Sequence, residues 1–291
     1  MDIHTLLQWI DEIRLHRSKK VGTALKKPLL LLLLLSKIER GESRDNKFRY
    51  RDIEEELDIL IKSFGNRTSA PKSNQPFHHL NSSPIWDLKL PEGVKLISSK
   101  TASVTLLRQD SVYGFINEEA FELLQRDERS RTILINYILE KFWPQTIQDE
   151  LRSYFGFSFY NPYKKIKRDP KFASQVLANF RYRCAICGFQ AMFNQTPFGL
   201  DAAHILWHSF EGPSTIDNGL ALCKLHHWAF DKGVITVTPN KKIHVSKHFV
   251  GTDSTSQSLI ESLNGGELLS WKEIEPSKVY FEWHNENIFI I

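Results

Sequence analysis

Residues 184–231 read CAICGFQAMFNQTPFGLDAAHILWHSFEGPSTIDNGLALCKLHHWAFD. Cys184 and Cys187 are separated by two residues, and so are Cys223 and His226. Members of such a pair face the same way in a tight turn or on the first turn of a helix. The two pairs offer three thiolates and one imidazole, the donor set of a closed tetrahedral Cys3His zinc site. The chain has 3 cysteines and all of them fall in this pattern. An odd number pairs badly as disulfides, so the spacing argues for metal in a reducing compartment. The competing reading is three buried free cysteines and a surface histidine.

A second set of polar residues interleaves with the first. Asp201-Ala202-Ala203-His204 reads as a strand, Asn218 lies in the following loop, and His227 directly follows His226. Adjacent helix positions point about 100° apart, so His226 can face zinc while His227 faces another site. This His…Asn…His order on strand, loop and helix, interlocked with CxxC and CxxH, resembles the HNH nuclease family with its ββα-metal fold. The resemblance implies that His204 is the general base that activates water. It implies that Asn218 orients the His204 ring or holds the loop. It makes His227 a ligand of one divalent ion, Mg2+ or Mn2+, with the zinc purely structural. Many family members carry Asp or His immediately before the base, where this chain has Ala203. Asp201 lies two residues before Ala203 and faces the same side of a strand, so it is the candidate second ligand. Water and DNA phosphate filling the gap is the other reading. Asp217 and Asp231 read as caps or braces, and His208 and His244 as ordinary surface histidines.

Toward the N-terminus, Leu6, Ile10 and Ile13 give residues 2–14 a helical apolar face. A basic stretch of Arg14, Arg17, Lys19, Lys20, Lys26 and Lys27 follows. Pro28 then opens an all-leucine run, Leu29 to Leu35, ending near Gly41. A helix apolar all round is buried, so this one is expected to be the spine of its domain. Residues 51–64 read as a third helix and 65–84 as a long polar loop. The stretches VKLI and ASVTLL read as short strands, and 117–126 and 129–142 as helices. The apolar ending KVYFEWHNENIFII is expected to dock on the body.

The segments GTALKKPLLLLLLLSKIERG (22–41), SNQPFHHLNSSPIWDL (73–88) and EKFWPQTIQDEL (140–151) resemble the sulfur-binding domain of modification-dependent, type IV HNH restriction enzymes. That resemblance implies recognition of phosphorothioated DNA, in which sulfur replaces a non-bridging phosphate oxygen. Sulfur is larger and more weakly hydrated than oxygen, so its reader needs an apolar cavity beside its cations. Ala24 among Arg17, Lys19, Lys20, Lys26 and Lys27, together with Pro76, Phe77 and His78 beside Arg67, is the candidate DNA-binding set. The lysines and arginines would supply affinity through phosphates and the small apolar residues discrimination. Pro76 and Phe77 can instead anchor their loop to the core. A reader of methylated cytosine and a zinc-stabilised DNA-binding protein without catalysis stay open as alternatives.

The chain of 291 residues, 41% hydrophobic and 25% charged, has room for two ordinary domains. The expected fold class is α+β: a mainly helical recognition domain at 1–160, a basic linker at 161–172, and an HNH domain with structural zinc at 173–291. A net charge of +4 permits double-stranded DNA as partner without demanding it. The leucine run is too short to span a membrane, which takes about 20 apolar residues. The opening residues carry acids and no cleavable signal pattern, so a cytoplasmic protein is expected. One HNH site per chain leaves a homodimer or two successive nicks as routes to a double-strand break.

Overall fold

Asp2 accepts the Thr5 backbone N–H at 2.9 Å and so starts helix α1, Ile3–Asp11. Strands β1, Arg17–Ser18, and β2, Gly22–Thr23, pair antiparallel and deliver the chain into α2, Lys26–Glu39. Here Leu29 to Leu35 are all buried, as expected for a helix without a polar face. α2 packs against α3, Tyr50–Phe64, α4, Asn74–His79, α6, Glu118–Arg126, and α7, Glu128–Phe142. β3, Trp86–Lys89, pairs antiparallel with β4, Tyr113–Ile116, and α5 spans Val104–Leu107 between them. α8 covers Gln145–Phe155. The structure, a computed structural model, describes residues 1–18, 22–65, 71–94, 100–157 and 170–291.

The chain divides into two compact units, Met1–Phe142 with Glu150–Pro162, and Trp143–Asp149 with Tyr163–Ile291. The first is mainly helical; the second mixes helices with small antiparallel sheets, an α+β chain. Among the described residues no helix is long and apolar enough to cross a membrane.

Two readings of the first unit are corrected. Residues 74–82 are not loop but α4 followed by one 3-10 turn, Leu80–Ser82. The cause is tertiary: Phe77 is fully buried between the rings of Tyr50 and Trp86, at 5.2 and 5.4 Å, and its carbonyl accepts the Trp86 indole N–H at 3.0 Å. Residues 104–107 are helix rather than strand, because the Ser103 hydroxyl accepts the Leu106 N–H at 3.2 Å and caps the turn. The VKLI reading lies mostly outside the described residues.

The second unit starts with α9, Pro170–Asn179. A hairpin of β5, Met192–Phe193, and β6, Thr196–Pro197, precedes β7, Leu200–His204. β7 pairs with β8, Gly219–Cys223, in the register Leu200↔Cys223 to His204↔Gly219. α10, Lys224–Asp231, follows without a break. β9, Ile235–Val237, and β10, Ile243–Val245, pair antiparallel, and α11, Ser254–Leu259, and α12, Lys278–Asn287, complete the unit. Phe172, Val176, Leu220, Phe230, Ile235 and Phe281 belong to its single core. At Gly219 a Cβ would stand 2.3 Å from the Val176 side chain, so only glycine lets α9 lie on the end of β8.

The apolar ending docks through His284, stacked on Phe230 of α10 at 3.6 Å between centroids. Its Nε2 faces the Phe230 carbonyl at 3.1 Å and must donate; its Nδ1 accepts from the Thr236 hydroxyl at 2.8 Å. Complete burial pulls its pKa down to about 3. An imidazole ordinarily titrating near 6.5 is therefore neutral in the fold and protonated in the unfolded chain between those values. Stability is full above pH 6.5 and falls as pH drops through that window, by roughly 1.4 kcal/mol per unit. Chemical denaturation at pH 7 and pH 5 is expected to show this slope, and His284→Gln to flatten it. Equal slopes in the two proteins would remove His284 from the account.

Candidate active site and metal centre

The strand pair β7–β8 and helix α10 form a ββα unit that carries two separate groups of polar side chains. In the first, one ligand atom each from Cys184, Cys187, Cys223 and His226 lie within 4.8 Å of one another. The Cys184–Cys187 knuckle is closed by the Cys184 N–H donating to Phe189 O and the Gly188 N–H to Cys184 O, both at 2.9 Å. The Ala185 N–H donates to Ala221 O at 2.7 Å and ties the knuckle to β8. Cys223 ends β8 and precedes the first residue of α10, so His226 comes round one turn later to face it. His226 Nδ1 lies 3.1 Å from Cys223 Sγ and 3.6 Å from Cys184 Sγ. Its Nε2 donates to Leu259 O at 2.9 Å, which fixes Nδ1 as the ligand nitrogen.

Burial alone would lower the His226 pKa, but the sulfurs of Cys184 and Cys223 push it up to about 10. Hydrogen bonds from Cys187 and Cys223 hold the Cys184 thiol far below its ordinary value, and the same contacts hold Cys187 far above it. Three thiolates and an imidazole this close fit zinc, whose positive charge replaces the protons.

In the second group, His204 ends β7 with its ring stacked on Phe172 at 4.1 Å and 16°. Its Nε2 pairs with Ser214 Oγ at 3.2 Å. Burial, helped by the neighbouring His208 ring at 5.9 Å, pulls the His204 pKa down to about 4. The ring is therefore neutral at physiological pH. Asn218 is fully buried and does not orient that ring. Its amide accepts the Leu206 N–H at 2.8 Å and donates to Leu206 O at 3.0 Å and Pro213 O at 2.8 Å. One side chain thus closes both ends of the loop after β7.

His227 lies between two carboxylates. Its Nδ1 is 3.1 Å from Asp201 Oδ2 and its Nε2 is 3.2 Å from Asp231 Oδ2. Burial would lower its pKa, but Asp231 and Asp201 outweigh it and push the pKa up to about 9. Burial likewise opposes ionisation of Asp201, yet His227 and Lys224 hold its pKa down to about 2. The Lys224 ammonium donates to both Asp201 oxygens, at 2.8 and 2.7 Å. The Asp201 carboxylate beside Nδ1 offers a hard divalent ion such as Mg2+ or Mn2+ one oxygen and one nitrogen donor, while Asp231 meets the opposite ring nitrogen and orients the imidazole.

The sequence reading brought Asp201, His204, Asn218 and His227 to one ββα unit, and the structure places them there. It read Asp231 as a cap or brace and His208 as an ordinary surface histidine, and it did not name Phe172 or Ser214. Asp231 had a readable signal, since it stands four residues after His227 on the same helix. The contacts of Phe172 and Ser214 with His204 arise only on folding.

In the first unit, Lys26 Nζ donates to Gln75 Oε1 at 2.9 Å and Lys27 Nζ to Ser82 Oγ at 3.1 Å. The start of α2 and the α4 turn therefore meet on one face. Burial, with repulsion from Lys72, pulls the Lys26 pKa down to about 8. Pro76 and His78 are buried beside it, and His78 Nδ1 accepts the Ala102 N–H at 2.8 Å. Arg17 is exposed and Ala24 half-buried. Phe77 is fully buried in the aromatic core, the anchoring place that the sequence reading set beside DNA contact. Lys19, Lys20 and Arg67 lie outside the described residues.

Residues 3–160 match the family described as ScoMcrA-like, DNA sulfur-binding domain, and residues 184–238 match the HNH endonuclease family. The sulfur binding domain of SprMcrA, solved in complex with phosphorothioated DNA, is similar with a TM-score of 0.46 and 21% identity, over 54% of this chain and 95% of that one. The sulfur binding domain of ScoMcrA, also complexed with phosphorothioated DNA, gives 0.44 and 14%, over 52% and 98%. The modification dependent TagI restriction endonuclease gives 0.29 and 21%, over 46% and 41%. No curated protein matches the chain.

The cluster predicts about one zinc per chain in purified protein, measured by elemental analysis. Cys223→Ser is expected to lose the metal and lower the melting temperature sharply, since structural zinc contributes on the order of 10 kcal/mol in small domains. Metal-free protein as stable as loaded protein would count against the site. Asn218→Ala removes three hydrogen bonds to the loop. It is expected to raise amide exchange at 206–213 while zinc content stays unchanged.

Proposed function

The chain belongs to the family of ScoMcrA-like DNA sulfur-binding domains, and on that premise we propose that it is a restriction endonuclease that binds phosphorothioated double-stranded DNA and hydrolyses it. Residues 184–238 match an HNH endonuclease domain. The proposed division is recognition by residues 1–160, a basic linker at 161–169, and cleavage by residues 170–291, because Phe172 packs in the core of the second unit rather than in the linker. The observation that carries the nuclease half is geometric: on one ββα unit His204 ends β7 with its ring held by Phe172 and Ser214, while His227 on α10 stands beside the Asp201 carboxylate.

In this reading His204 takes a proton from water as the water oxygen bonds to phosphorus. The bond from phosphorus to the leaving oxygen breaks, and that oxygen takes a proton from a second water, whose hydroxide is neutralised by the proton that His204 later releases. Stacking on Phe172 and the Ser214 contact hold the imidazole in place. His227 and Asp201 would hold Mg2+ or Mn2+, which would offset charge developing on the phosphate, with Asp231 orienting the ring from its other nitrogen. Binding it requires His227 to give up the proton it now shares with the carboxylates. Zn2+ in the Cys3His cluster has four protein ligands, and its role is structural.

On the recognition side, Pro76 and Ala24 would supply the apolar wall for sulfur, and Lys26, Lys27, His78 and Arg17 the polar contacts around it. Lys19, Lys20 and Arg67 are proposed as further phosphate contacts. The buried Lys26–Gln75 pair supports a preformed cleft at the junction of α2 and α4. A cation with a pKa of about 8, held in a site with little water, interacts strongly with a poorly hydrated anion.

Competition between one duplex without modification, one with a single phosphorothioate and one with methylated cytosine, at fixed salt, tests recognition. Preference for the sulfur duplex is expected; equal affinity for all three would sink the sulfur reading. His204→Ala is expected to keep that preference and lose roughly 100-fold or more in cleavage rate. The pH profile at saturating metal tests the setting of His204. A lowered pKa keeps the base neutral down to about pH 4, so activity should persist well below pH 6.5. Phe172→Ala admits water, and the acid limb is expected to move up toward 6.5.

A further inference from the structure

The hairpin between the Cys184–Cys187 knuckle and β7 takes no part in the chemistry above. Its strands pair in the register Met192↔Pro197 and Phe193↔Thr196. The turn residues Asn194 and Gln195 both have positive φ, at 46° and 62°. That is the two-residue turn whose twist matches a tight hairpin. From Gly188 to Leu200 there is no charged residue. Yet Met192, Phe193 and Phe198 are 57%, 64% and 58% exposed. A contiguous apolar surface of this kind on a folded protein marks a contact.

The hairpin is also held firmly. Cys184 N–H donates to Phe189 O at 2.9 Å, and the Gln190 side-chain amide donates to Arg181 O at 3.0 Å. Phe198 N–H donates to Ala191 O at 2.8 Å, and the Thr196 hydroxyl to Phe193 O at 2.6 Å. Gly199, at φ 73°, lies under the Phe189 ring, where a Cβ would come within 3.3 Å. The apolar tip is thus carried by the cysteine knuckle on one side and by the start of β7 on the other.

β7 leads from the hairpin to His204. At ~3.3 Å per residue, the five residues from Gly199 to His204 span about 17 Å. That is about five base-pair steps of duplex at ~3.4 Å each. A duplex lying along β7 with a phosphate at His204 therefore brings its groove to the hairpin. Phe, Met and Pro are the side chains that proteins drive between base steps from the minor groove, and Asn and Gln read the edges there. The tip offers both sets, and its lack of charge suits insertion between bases rather than phosphate contact.

We propose that the β5–β6 hairpin is a wedge that enters the minor groove a few base pairs from the phosphate attacked and unstacks a base step, with Phe193 and Phe198, whose rings lie 6.3 Å apart, as the inserted side chains. This inference rests on the nuclease reading above. Unstacking bends the duplex and widens the groove over the ββα unit, so the wedge would set both cleavage rate and the sequence cut, through the ease of deforming each step.

The test uses the full chain carrying His204→Ala, so that DNA stays intact. Short duplexes with one phosphorothioate carry 2-aminopurine at successive positions, and fluorescence is read at saturating protein. It is expected to rise severalfold at one position or two adjacent ones. Adding Phe193→Ser and Phe198→Ser should abolish the rise, with the melting temperature unchanged because both side chains are exposed. No rise at any position, or a rise that survives both substitutions, overturns the wedge. Cleavage by protein with His204 intact is read in parallel. If it cuts while no position responds, the wedge falls and the nuclease reading stands; if it neither cuts nor unstacks, both fall. A dimer in sedimentation that the two substitutions split, with no fluorescence change, would assign the patch to a second copy and overturn the wedge as well.

Discussion

Three thiols and one imidazole brought within 4.8 Å of one another set the geometry of the second unit. The cluster joins the knuckle at 184–187 to the exact point where β8 becomes α10, because Cys223 ends the strand and His226 lies in the first turn of the helix. Consecutive helix residues diverge by about 100°, so fixing His226 on the sulfurs also fixes His227 on the opposite task. The hairpin that follows the knuckle inherits the same anchor through the Cys184–Phe189 hydrogen bond. A cluster that could hold a metal thereby bears on where His204 and His227 stand.

Within that frame, burial and charge act on two histidines in opposite directions. His204 is buried against Phe172 with another imidazole for company, and burial wins: the ring is neutral. His227 is buried even more deeply, yet the carboxylates on both of its nitrogens win and the ring is cationic. The neutral ring of His204 can accept a proton, whereas the carboxylates around His227 mark a place suited to positive charge. Asn218 takes neither role. It pins the intervening loop, and so holds Ser214 where it can meet the His204 ring.

The first unit shows how far periodicity reaches. The leucine run was legible because a helix apolar on every side has only one stable place, and α2 is packed by α3, α4, α6 and α7. The α4 helix was not legible. Its sequence, NQPFHH, has no period and carries a proline, and what makes it helical is the burial of Phe77 between Tyr50 and Trp86. Pro76 and His78, its neighbours on α4, are buried as well, and Lys26 is nearly so.

By itself the sequence determined the cysteine–histidine cluster, the order of His204, Asn218 and His227, and the buried leucine spine. Each depends on spacing along the chain, and strand and helix geometry convert spacing directly into direction. Only the tertiary structure decided the rest: that Asp231 closes the second side of His227, that Phe172 keeps His204 neutral, that Lys26 reaches Gln75 across the chain, and that the uncharged hairpin stands out in water. These are contacts and exposures between distant segments, and protonation follows from them because burial and neighbouring charge exist only once the chain has folded.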